Sequence, residues 1–120
     1  MEVKKYDISM PKINYKLIEL SITNNGEATK IGDNDLLYLT VRETSDTKEI
    51  MLQKGLNNGI TYNSETGKYE IEIMPEDTKN FATNKKYGYD ITLYLDGTKP
   101  KQKVIGKFIA TDQFTKNGVM

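Results

Sequence analysis

The sequence predicts an all-β chain, folded as an antiparallel β-sandwich of about seven or eight strands with one short helical turn near Pro75–Phe81. Three observations carry this prediction. Lys68–Met74 alternates, with Tyr69, Ile71 and Ile73 on one side and Lys68, Glu70 and Glu72 on the other. That is the pattern of a strand with one buried and one wet face. Lys86–Leu95 alternates again, setting Tyr87, Tyr89, Ile91, Leu93 and Leu95 against Gly88, Asp90, Thr92, Tyr94 and Asp96. Turn signals then separate the runs, at Asn24-Asn25-Gly26, Asn57-Asn58-Gly59 and Asp96-Gly97.

In chain order, Met1–Met10 begins polar and alternates at Tyr6, Ile8 and Met10. It reads as a short first strand or as an arm that pairs with a neighbouring chain. Pro11 interrupts it. Tyr15–Thr23 sets Ile18, Leu20 and Ile22 against Leu17, Glu19 and Ser21, and a polar connection follows over Ala28–Asn34. Asp35–Glu43 is the next strand. Its Leu36–Val41 run is apolar almost throughout, as in a central strand covered on both sides; a short buried helix is the alternative. Thr44-Ser45-Asp46-Thr47 is turn-like, Glu49–Lys54 a short strand and Ile60–Asn63 a minor one. Asn63–Gly67 is a hairpin loop into Lys68–Met74. Pro75 ends that strand, because it has no N–H for the ladder. Pro75-Glu76-Asp77-Thr78 suits a first helical turn, with Pro early and acids near the N-terminal amides. Pro100 lies in the loop before a closing strand, Gln102–Thr111, with Val104, Gly106, Phe108 and Ala110 on one face. Thr115–Met120 reads as a loose tail.

Strand, helical turn, strand and hairpin form the closing pattern of an immunoglobulin-like sandwich. There, a Tyr near the start of the penultimate strand bonds back to upstream backbone. Tyr87 or Tyr89 is placed for that structural corner, with Asp77 or Thr78 in the segment before it. The alternative is that both are ordinary core tyrosines. At 120 residues the expectation is one domain, residues 1–120. A chain of this size buries roughly two-thirds of its unfolded surface, enough for one core.

Composition narrows function. Lys plus Arg and Asp plus Glu are 17 each, for a net charge of +0. Nucleic acid as the main partner would call for a basic face, so none is expected. Near-neutral charge gives little repulsion between copies and is compatible with a homo-oligomer. Cysteine and histidine are both absent. This removes disulfides, thiolate chemistry and the most specific zinc patterns, together with Ser-His-Asp and Cys-His catalysis. No apolar run approaches a membrane span, so no membrane insertion is expected. Met1–Asp7 has no apolar h-region, so the chain is expected to be made in the cytoplasm without a signal peptide.

Each candidate for chemistry meets a plainer reading. Gly32-Asp33-Asn34-Asp35 clusters oxygen ligands, but no Gly-x5-Glu completes a calcium loop, and an acidic turn is the better reading. No metal or cofactor is expected. Glu65, Glu70, Glu72, Glu76 and Asp77 would suit a carboxylate pair, but Glu70 and Glu72 alternate on a strand as a solvated face does. The chain is therefore expected not to be an enzyme. Lys99, Lys101 and Lys103 flank Pro100 beside a hairpin tip; they suit an acidic partner, or simply discourage edge aggregation. Most of the eight tyrosines fall at alternating strand positions and read as core. Tyr62 and Tyr94 are the exceptions, and with Lys99 and Lys101 they are the candidate interaction residues.

Several blocks also occur in a fixed order: Leu39-Thr40-Val41-Arg42, Gly59-Ile60, Gly67–Asn80 with its Pro-Glu-Asp-Thr-Lys-Asn, Tyr87–Leu93, Ile105–Ile109 and a final Thr115. Over about Asp33 to Thr115 the chain thereby resembles the immunoglobulin-like domains of tailed-phage and prophage structural proteins, of the kind at the N-terminus of upper baseplate proteins. The resemblance implies a non-enzymatic role in a virion, with other phage structural proteins of the tail, baseplate or capsid as partners. Synthesis would be in the bacterial cytoplasm and the final location the virion. The alternative is a β-sandwich module that binds carbohydrate or a cell surface.

Overall fold

The computed structural model describes residues 2–24, 26–44 and 49–112. Met1, Asn25, the Ser45–Thr47 part of the predicted turn and the predicted tail Thr115–Met120 lie outside the described residues. The fold is all-β, a curled mixed sheet. Its strands are β1 (Glu2–Lys5), β2 (Ile8–Pro11), β3 (Lys16–Leu20), β4 (Thr23–Asn24), β5 (Glu27–Ala28), β6 (Leu36–Arg42), β7 (Ile50–Leu56), β8 (Gly59–Asn63), β9 (Lys68–Ile73), β10 (Lys86–Leu95) and β11 (Lys99–Thr111). The order across the nine-stranded sheet is β1-β11-β10-β6-β7-β8-β9-β3, with β2 also on β11, while β4 and β5 form a separate small hairpin.

The sheet is not purely antiparallel, as the sequence had suggested. The first segment divides into β1 and β2, and both pair parallel to β11 of the same chain. The register keeps a constant offset, Glu2 opposite Gln102 and Ile8 opposite Phe108, so Ile8 and Met10 join the core. β7 meets β8 in parallel over only Gly55–Gly59 and Leu56–Ile60. Asn57 and Gly59 hold positive φ there, 63° and 97°, and the chain turns sharply between the two halves of the sheet.

β6 is central, between β10 and β7. Leu37, Leu39 and Val41 face inward and are buried; Thr40, on the other face, is also buried. The apolar run is therefore a strand, not a helix. Opposite it, Tyr89, Ile91 and Leu93 of β10 share the inner face. Ile60, Tyr69, Ile71 and Ile73 from β8 and β9 belong to the same hydrophobic cluster, so both halves of the sheet cover one core.

The helical turn is shorter than predicted, a 3-10 turn over Pro75–Thr78. Phe81 is instead a buried core ring, 4.6 Å from Tyr87 and 5.4 Å from Phe108 between centroids. β11 begins earlier than predicted and takes in Pro100. Its first residues pair only with β10, among the described residues, so Pro100 sits on a stretch that is open on one side, as Pro in a sheet usually does. The register shifts beside it, leaving Lys101 as the extra residue between the Tyr94–Pro100 and Leu93–Gln102 pairs.

Candidate functional site

The four predicted corner residues take separate roles. Ala82 N–H donates to the Tyr87 hydroxyl at 2.8 Å, five residues upstream of that tyrosine. The Tyr89 hydroxyl donates to the Tyr6 carbonyl at 2.6 Å. Burial, with Tyr6 and Asp7 adding to it, pushes the Tyr89 phenol well above its ordinary range. Asp77 closes the turn, accepting the Met74 N–H at 2.7 Å, and meets Lys54 Nζ at 2.7 Å. Thr78 is buried, and its Oγ1 accepts the Ile13 N–H at 2.8 Å. Neither tyrosine hydroxyl bonds to Asp77 or Thr78; the corner is tied instead to β7 and to the loop before β3.

The candidate interaction residues are not brought into one patch. Tyr62 is half-buried, 4.9 Å from Tyr69, with Lys30 Nζ 5.3 Å above its ring. Tyr94 is half-buried in an edge-on pair with Tyr38 at 6.4 Å. Lys99 and Lys101 are exposed on the first residues of β11.

The acids have structural partners. Glu70 accepts from Asn63 Nδ2 at 3.0 Å, and Glu72 from the Tyr15 hydroxyl at 2.9 Å. Asp35 accepts the Gly32 N–H at 2.9 Å and the Asp96 N–H at 3.0 Å, fastening its loop to the β10–β11 hairpin. Those two donors, Asp96 first, hold its carboxyl below the ordinary range. Among the described residues no three Asp or Glu converge as a metal site would. Among the same residues no helix is long and apolar enough to cross a membrane.

The feature that sequence reading missed lies where the two ends of the strand order approach. β3 pairs with β9 alone and β1 with β11 alone. Between them opens a cleft of about 460 Å³, walled by Ile18 and Leu20 of β3 and by Tyr89, Ile91 and Val104. It continues past Leu20 into a narrower hollow of about 50 Å³ beside Ile22 and Leu37. Tyr6 and Leu17 line it, exposed by 61% and 39%, and Ile13 and Tyr15, exposed by 41% and 52%, lie in the segment just before β3. Among the described residues the other large apolar side chains so exposed are Ile50 and Met74.

A second missed feature shapes that edge. A Cβ at Gly106 would overlap the Tyr6 carbonyl. Asp7 accepts the Lys107 N–H at 2.9 Å alongside it. Together these set the bend between β1 and β2. A glycine inside an alternating strand was the available signal, since it marks a bulge or a close backbone approach.

No family model matches the chain, and no curated protein matches it.

Proposed function

We propose that this chain is a non-enzymatic structural or assembly module of a phage or prophage particle, acting in the tail, baseplate or capsid through protein–protein contacts. The observation that carries the reading is the ordered set of blocks Gly67–Asn80, Tyr87–Leu93 and Ile105–Ile109, which resembles the immunoglobulin-like domains of tailed-phage structural proteins. An immunoglobulin-like sandwich is the finer fold that goes with it. Two features support that fold. One is a β3-β9-β8 antiparallel set facing a β7-β6-β10-β11 antiparallel set. The other is the Tyr87 hydroxyl bonded to backbone five residues upstream. The partners are other structural proteins of the particle, reached through open sheet edges. Synthesis is in the bacterial cytoplasm, and the final location is the virion. The carbohydrate-binding alternative needs aromatics side by side in one groove, whereas Tyr62 and Tyr94 belong to separate, half-buried pairs.

Peptide mass spectrometry on particles purified from an induced source culture tests the proposal. The expected result is this protein at many copies per particle. Expression in the same cells with absence from intact particles would overturn it.

A further inference from the structure

We propose that the occupant of the β1–β3 cleft is one extended segment of a partner protein, alternating apolar and acidic residues, which adds to β3 as a new strand. This rests on the docking reading above and names the chemistry of the partner.

The backbone supplies the first argument. An edge strand presents a row of N–H and C=O groups along its open side, and β3 is paired on one side only. Natural edges are usually blunted by Pro, by lysine or by a bulge. The open start of β11 has all three, with Lys99, Pro100, Lys101 and a register shift. β3 runs in unbroken register from Lys16 to Leu20, with Leu17 exposed as its second residue. An edge without Pro or a bulge is suited to main-chain pairing.

The cleft supplies the second. Ile18 and Leu20 wall it with Ile91 and Val104, so alternate side chains of an added strand would meet apolar surface. Tyr15 and Leu17 would flank the opposite side chains.

Charge selects the partner. Lys4, Lys5 and Lys16 line the cleft against the single acid Glu19. Among the described residues no ion pair engages Lys5, Lys16 or Glu19. A second copy of this chain would bring the same lysines to the rim, whereas an acidic strand would neutralise Lys5 and Lys16.

The test uses the full chain, isotopically labelled and titrated by NMR with two synthetic peptides, one alternating valine and glutamate and one alternating valine and lysine. The glutamate peptide is expected to shift amides of β1 and β3 with those of Ile91 and Val104, and to bind about tenfold more tightly than the lysine peptide. The double variant Lys5→Glu, Lys16→Glu, at exposed and half-buried rim positions, is expected to fold and to reverse that preference. Unmoved β3 amides, or equal response to both peptides, would overturn the proposal. So would concentration-dependent dimerisation through β3 in sedimentation equilibrium, which would make the occupant a second copy. Absence of the protein from particles would end the virion reading but leave the peptide result intact, so the two failures are distinguishable.

Discussion

A Cβ at Gly106 meets the Tyr6 carbonyl, the same oxygen that accepts the Tyr89 hydroxyl. Gly106→Ala would push that backbone away and cost about 1–3 kcal/mol, as overpacking does. Tyr89→Phe would leave a part-buried carbonyl short of its donor, at about 1–2 kcal/mol. Because both act on one carbonyl, the double variant should lose less than the sum. Urea denaturation of the three variants measures this, and strict additivity would count against a shared contact. Ile13 presents the opposite case. It holds φ at 56°, a left-handed conformation that a β-branched residue adopts at a cost of about 1–2 kcal/mol. Its side chain is exposed, so Ile13→Asn should raise stability by about 1 kcal/mol while keeping the N–H bond to Thr78. Asp35 gives a pH signature. Its folded pKa lies below the ordinary 3.8, because the Asp96 and Gly32 amides favour the carboxylate. Its contribution is therefore complete above the ordinary value and is lost as pH falls through the lower folded value. Asp35→Asn should flatten the acid limb of stability measured against pH, and an unchanged limb would show that the carboxylate is not stabilising that loop.

At the scale of elements, the turn after β9 is held by a lysine from another strand. Lys54 stands opposite buried Leu39 and so points to the inner face; its side chain is 12% exposed and that of its partner Asp77 14%. Asp77 also accepts the Met74 N–H, so removing it strands a nearly buried ammonium and an amide together. Asp77→Ala should cost about 3–5 kcal/mol. Lys54→Met keeps an apolar stem against Gly59 and leaves Asp77 its backbone donor, so it should cost clearly less. Thermal unfolding of both variants checks the order, and equal losses would mean that the charge pair alone matters. These elements also show what the sequence could reveal. The β9 and β10 strands were legible because each buries one face and wets or crowds the other, and a period of two records that directly. The Pro75 turn was legible from Pro and acids, but its length was not, because Phe81 is claimed by the core rather than by helix propensity. The parallel pairing of the first segment was illegible, since alternation tells which face is buried and not which neighbour supplies the ladder. The open edge of β3 was missed for the same reason. Alternation sets Leu17 on the face opposite Ile18 and Leu20, but nothing local says that the strand beside it would be absent.

Over the whole molecule, the backbones of the two halves of the curled sheet pair, among the described residues, only at two positions of the β7–β8 turn, so backbone pairing hardly couples them. Side chains do. Ile60, Tyr69, Ile71 and Ile73 from one half and Leu37, Leu39, Tyr87, Tyr89 and Ile91 from the other lie in one buried cluster. Opening either half would expose the inner face of both, and burial is worth about 25 cal/mol per Å² of apolar surface. The halves should therefore unfold together despite their thin backbone joint. The edges are different. β3 and β1 each have one ladder partner and border the cleft, so opening them uncovers less of the core. Native-state hydrogen exchange in rising denaturant separates the two ideas. Amides of β6, β8, β9 and β10 are expected to converge on one isotherm with the slope of global unfolding. Those of β1 and β3 are expected to exchange by a shallower, lower-energy opening. Two distinct steep isotherms, one for β8 and β9 and one for β6 and β10, would show that the core is divided. Protection of β3 equal to that of β10 would show that the edge is as firmly held as the centre, and an incoming strand would then find no mobile border to complete.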